Sequence, residues 1–221
     1  MLTRTELLKT AKPILFNTDM VRAILNGRKT ATRRCVKPRS KDACGFYVTF
    51  RESDNAFTGV YDYDENERMF DNPQTQPCYP KDILYIRETF RPLSDHPRSK
   101  FEYAADWSRK YFENSRNPKA CNGGKWIPSI HMPKEAARIF LKVHDVKVQH
   151  LHNMTLDDFL KEGVTLRPEA FNDPENAYHQ AKRIFAEEIW DKTLRKADRE
   201  YYSWDANPWV WTIWFERIYP E

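Results

Sequence analysis

Cysteine is scarce and poorly spaced for holding a metal: Cys35, Cys44, Cys78 and Cys121 are the four in the chain, and none forms a CxxC pair. A four-cysteine zinc site usually draws on two short-spaced pairs, so no metal is expected and the thiols read as free. That suits a reducing compartment. Long apolar runs are missing as well. No stretch approaches the roughly 20 residues a membrane-spanning helix needs, and Met1 to Lys12 is polar and charged where a secretory leader would be apolar. The expectation is a soluble cytoplasmic protein with no membrane partner. Internal repeats are absent. Charge of one sign is also in short supply: 36 Lys and Arg face 32 Asp and Glu, a net +4 that permits nucleic-acid binding without demanding it.

Large apolar side chains are plentiful. Aromatics make up 14% of the 221 residues, with seven Trp, which sets the chain apart from disordered sequences. The length suits a single domain over 1–221 that buries a real core, with insertions expected at about 40–80 and 92–125.

Helix signals bracket the first informative segment. Thr18 or Asp19 can cap a short helix whose apolar side chains repeat at helical spacing, and Gly27 can supply a left-handed exit. Pro13 to Phe16 before it and Thr30 to Val36 after it read as extended. Residues 45–50 and 56–61 can pair as a hairpin, and Asp82 to Phe90 reads as one strong strand. Residues 92–125 are rich in Pro, Asn, Gly and charge and read as a long loop. Arg138 to Val148 alternates as a strand. Thr155 to Gly163 is a short helix with a capping Thr155 and a terminal Gly163. Asn176 to Leu194 reads as one amphipathic helix with Ala177, Ala181, Ile184, Phe185, Ile189 and Trp190 on its apolar face. Pro208 to Ile218 is a final strand. Several strands with few helices make an α+β protein, and suggest a small β-barrel with helices outside it.

One basic stretch stands out: Arg28, Lys29, Arg33, Arg34, Lys37, Arg39 and Lys41. Within it, Lys29 and Thr32 lie three residues apart just past a helix end, and Glu162 ends another short helix. A desolvated lysine can lose its proton near neutral pH and activate a hydroxyl, and a carboxylate can orient a substrate amine or carry protons. Spacing alone supports capping and solvated roles equally well. Arg33, Arg34, Lys37 and Arg87 can bind phosphate or form a solvated face. Glu88 can pair with Arg34 or Arg87, or take part in catalysis. His131 can be an acid, a base or structural. Trp126, Tyr85 and Trp209 can stack a base or belong to the core.

The run Gly27-Arg28-Lys29-Thr30-Ala31-Thr32-Arg33-Arg34 resembles the G-x-K-x-x-x-x-R signature of the ASCH family, a branch of the PUA-like fold. Asp82 to Thr89 resembles the family's strand with its R-E-T ending, Thr155 to Gly163 its short helix ending in Glu-Gly, and Asn207 to Trp211 the close of the barrel. Trp126 to Pro133 resembles a motif of phage and prophage members. The resemblance implies a PUA-like small β-barrel whose basic cleft binds RNA, DNA or a nucleoside, RNA ahead of DNA. It further implies an amidohydrolase of the kind that removes the acetyl group from N4-acetylcytidine, without metal or other cofactor. Lys29 is then the base, Thr32 the nucleophile and Glu162 the proton carrier or substrate anchor. Arg28, Arg33, Arg34, Arg87, Glu88, Trp126 and His131 are the expected binding residues. A non-catalytic nucleic-acid-binding module and a ribonuclease built on the same cleft are the alternatives. Oligomeric state is not legible.

Overall fold

The computed structural model describes residues 3–93, 100–107 and 125–221. The architecture is α+β. Helix α1 (Arg4–Thr10) leads into β1 (Lys12–Leu15), α2 (Thr18–Leu25) and β2 (Ala31–Cys35). A hairpin of β3 (Gly45–Phe50) and β4 (Phe57–Tyr63) comes next, then β5 (Ile83–Arg87) and the short strands β6 (Phe90–Pro92) and β7 (Phe101–Tyr103). The remainder comprises β8 (Phe140–His150), α3 (Leu156–Lys161), α4 (Pro174–Arg183), α5 (Arg199–Tyr202) and β9 (Trp209–Ile218). Five strands make one sheet in the order β1-β5-β8-β9-β2; β3 with β4 and β6 with β7 make two further two-stranded sheets. The β1–β5 pair is parallel and the other pairs of the large sheet are antiparallel.

Side-chain alternation divides the core between the faces of this sheet. One cluster packs Val21 and Ile24 of α2, with Phe16, against Ile86, Leu141, Ile213 and Phe215. Another packs Phe159, Phe185, Trp190 and Trp204 with Val210. Helix α2 therefore lies over one side and α3 with α4 over the other. No helix among the described residues is long and apolar enough to cross a membrane.

Local structure departs from the sequence reading in four places. The cap of α2 is Asn17, whose side chain accepts from the Met20 amide; Thr18 and Asp19 already lie in the first turn. The strand expected over 82–90 breaks after Arg87, because the Glu88 amide turns to the Met132 sulfur and Phe90 pairs with Ile127 and Tyr103. The region read as a loop over 92–125 contributes β7 and a 3₁₀ turn at Ala104–Asp106; the rest of that segment, Cys121 included, lies outside the described residues. The long helix starts at Pro174 on an Asp173 cap and passes into a π-helix at Ile184–Trp190. Residues five apart share a face in a π-helix. Phe185 and Trp190 exploit that spacing, stacking with ring centroids 6.0 Å apart, while Trp190 Nε1 donates to the Tyr202 carbonyl at 2.8 Å.

Candidate functional site

Two chain turns meet edge to edge. Gly27, at φ +72°, ends α2 in the left-handed conformation, and the Arg28 and Lys29 amides fold back onto the Ala23 carbonyl at 2.9 and 3.1 Å. Lys29 then forms an antiparallel bridge with Glu162, and the Thr30 amide donates to the Lys161 carbonyl at 2.8 Å. On the other side, a capping box between Thr155 and Asp158 starts α3, Glu162 caps its end, and Gly163 leaves at φ +99°. Glycine is needed there twice over. Its φ is unfavourable for other residues, and a Cβ would stand 3.1 Å from the Ala23 Cβ and 3.5 Å from the Lys29 Cβ.

This apposition buries a four-membered ion network. Lys29 Nζ donates to Glu162 Oε2 and, at 3.1 Å, to the Glu162 carbonyl. Arg33 Nη1 donates to Glu162 Oε1 at 3.1 Å and Nη2 to Asp158 Oδ1 at 2.7 Å. The side chains of Lys29 and Arg33 are 0% exposed and that of Glu162 is 3% exposed. Two cations thus face two carboxylates, the balance that burial demands. Burial lowers the Lys29 pKa from its ordinary 10.5, and the Glu162 carboxylate opposes that fall. The Phe16 ring completes the setting, with Lys29 Nζ 5.8 Å and the Arg34 guanidinium 5.3 Å from its centroid.

A pocket of about 180 Å³ opens beside the network. Its walls come from α2 (Asp19, Met20, Ala23), from the turn after α3 (Glu162, Gly163) and from the π-helix (Glu188, Ile189), with Arg28 alongside. Glu162 is the member of the expected trio that reaches this wall, and Lys29 lies behind it. Thr32 is buried in β2 opposite Ile213. No hydrogen bond links it to Lys29, whose ammonium is given to Glu162.

No family model, no curated protein and no solved structure matches the chain.

The expected binding residues fall into two groups. Arg28 stays at the pocket, its Nη1 donating to the Gly163 carbonyl at 3.0 Å and to Thr165 Oγ1 at 2.8 Å. Arg33 is internal, and Arg34 donates to the Leu15 carbonyl. Arg87 ends β5, and Glu88, Trp126 and His131 gather around the turns beyond it. Glu88 pairs there with neither Arg34 nor Arg87 but with Arg138, bidentately at 2.8 and 3.0 Å, and Arg138 also holds Asp106 at 2.7 Å. Burial raises the Glu88 pKa against the pull of Arg138. Arg87 donates to the carbonyls of Met132 and Ile130, bracing the turn that leaves His131 exposed. Trp126 is buried with the Arg91 guanidinium 4.6 Å from its ring. Tyr85 is core, and Trp209 stacks on His150 at 3.8 Å. Lys37 lies over the Tyr202 ring and 3.4 Å from Asp198.

Sequence reasoning missed Phe16, Asp158 and the pocket residues Asp19, Met20, Glu188 and Ile189. For Asp158 a signal existed: Thr155-x-x-Asp158 is a capping-box spacing, which fixes the carboxylate at the start of the helix that ends in Glu162. The others come from distant elements and carry no local pattern.

Proposed function

We propose that this chain is an amidohydrolase-like enzyme that removes an acyl group from the exocyclic amine of a modified nucleoside, of the N4-acetylcytidine type. The observation that carries this reading is the buried Lys29–Glu162 pair at the wall of a small pocket. Burial favours the neutral amine of Lys29, and Glu162 is in place to take the proton it gives up. Thr32 lies outside the pocket wall, so the step requires the pocket to open past Glu162; Lys29, once neutral, then turns to the Thr32 hydroxyl and accepts its proton as Thr32 Oγ1 attacks the acyl carbon. The carbon–nitrogen bond breaks, and protonated Glu162 supplies the proton to the departing amine. Water deprotonated by the same pair then cleaves the Thr32 ester, releases the carboxylic acid and restores the hydroxyl. The same reading takes the five-stranded sheet as the core of a PUA-like barrel.

The dimensions of the pocket favour a single small ligand over a nucleic-acid strand. Burial also thins the basic run: Lys29 and Arg33 have no exposed side-chain surface to offer a phosphate, while Arg28, Arg39 and Lys41 keep theirs.

The test is incubation with a panel of N4-acylated cytidines and with labelled RNA, products read by mass. Release of cytidine and the free acid is the expected result. Shortened RNA with an untouched panel would move the reading to a ribonuclease, and RNA bound but unchanged to a binding module.

A further inference from the structure

Two buried polar atoms in the described structure have no hydrogen-bond partner: Arg33 Nε and Thr212 Oγ1. They are not scattered. Arg33 on β2 and Thr212 on β9 are direct partners in the antiparallel register, so their side chains leave the same face of the sheet as cross-strand neighbours. Thr212 is 0% exposed and Arg33 4%. A buried donor or acceptor left unmade is costly, and native interiors satisfy nearly all of them.

The neighbouring side chains, as they stand, leave the gap unfilled. Both Nη atoms of Arg33 are committed to Glu162 and Asp158. Lys147, across from Thr212 on β8, sends its ammonium to Asp145 at 3.2 Å and toward the Trp214 ring. Val210 and Trp214, two residues either side of Thr212, offer no side-chain acceptor.

We propose that Arg33 Nε–H and the Thr212 hydroxyl form a closed hydration site for one internal water, and that through it Thr212 is a positioning residue for Glu162. The water accepts from Arg33 Nε–H and exchanges a hydrogen bond with Thr212 Oγ1, two partners, the fewest that hold a buried water. The guanidinium is then fixed on all of its edges, and it holds Glu162 Oε1 while Lys29 holds Oε2. The hydration site stands on the two unpartnered atoms alone; the positioning role rests on the amidohydrolase reading.

Two arms test it separately. The first needs no activity. A high-resolution crystal structure of the unmodified protein should show a water within hydrogen-bond reach of both atoms, and the Arg33 Nε–H should exchange slowly with solvent in ¹⁵N-detected NMR. An anhydrous contact, or fast Nε–H exchange, overturns the hydration site. The second arm uses turnover of N4-acetylcytidine. Thr212→Val should lower kcat about tenfold with KM unchanged, the worth of one hydrogen bond to a charged group, and Thr212→Ser should restore it to within about twofold. An unchanged kcat in Thr212→Val, or no recovery in Thr212→Ser, overturns the positioning role. If Thr212→Val does not fold, Thr212→Ser is read against Thr212→Ala. Absence of turnover in the unmodified protein counts against the amidohydrolase reading and leaves the first arm to decide the hydration site.

Discussion

Lys29 and Glu162 are joined at two levels: their backbones form an antiparallel bridge, and the Lys29 ammonium donates both to the Glu162 carboxylate and to its carbonyl oxygen. The side-chain pair is thus held by the same contact that docks the two turns. Chemistry and packing cannot be altered independently there.

Removing one charge should unfold more than it disarms. Glu162→Gln leaves Lys29 and Arg33 buried against Asp158 alone, and such a loss costs on the order of 3–5 kcal/mol. Lys29→Met with Glu162→Leu removes the pair together and leaves Arg33 with Asp158. Urea denaturation should show the double variant losing less than the sum of its two single changes. Simple additivity would mean that the two side chains are not coupled.

Gly163→Ala tests the close approach of the turns. The left-handed φ and the crowding by Ala23 and Lys29 should together cost about 1–3 kcal/mol, read as a lower urea midpoint. A midpoint equal to that of the parent would show that the turns need not meet so closely.

Thr32 separates two chemistries. As the nucleophile it predicts negligible turnover in Thr32→Ala and partial turnover in Thr32→Ser, measured on N4-acetylcytidine with the fold checked by circular dichroism. Near-normal rates in Thr32→Ala would transfer the attack to a water activated by Lys29.

Asp158 links the network to acid stability. Burial pushes its pKa up, but hydrogen bonds from Thr155 and the Arg33 guanidinium outweigh this and hold it below the ordinary 3.8. Between the folded value and 3.8 the unfolded chain binds more protons than the folded one. The stabilisation is therefore complete above 3.8 and disappears as pH falls through the folded value. Asp158→Asn should lower the urea midpoint at neutral pH and flatten the acid decline. Parallel acid profiles for the two proteins would show that the carboxylate is not the linked group.

Much of the backbone frame was legible in the sequence because its signals are local. Gly27, the Thr155 cap and Gly163 mark helix ends by conformational demands that few other residues meet, and the 45–63 hairpin arises from alternation. The site was legible only in outline. Of the three residues expected to converge, Lys29 and Glu162 meet, and Thr32 makes no hydrogen bond to Lys29. Arg33 reads from sequence as a phosphate ligand or part of a solvated face because composition does not tell which face of a strand is covered; α3 covers it, and Asp158 turns it into an internal cation. Glu88 found Arg138, 50 residues away, through strand pairing that no short-range pattern encodes. The 176–194 helix failed at its midpoint because a π-helix shares its apolar residue types with an α-helix and differs only in count.

That difference in count has a consequence for chain length. The π-helix at Ile184–Trp190 holds more residues per turn than an α-helix does. Deleting a single residue inside it would return the segment to α periodicity and leave the downstream chain near its present azimuth, because the wider turn spends one more residue on nearly the same rotation. Beyond it, the Asp191 carboxylate that now accepts the Trp204 amide at 2.9 Å would keep its side of the axis, and the change would fall on Glu188 and Ile189 at the pocket wall. The wide turn can therefore absorb a residue's difference in length locally, while its buried face, Phe185 and Trp190, fixes its composition.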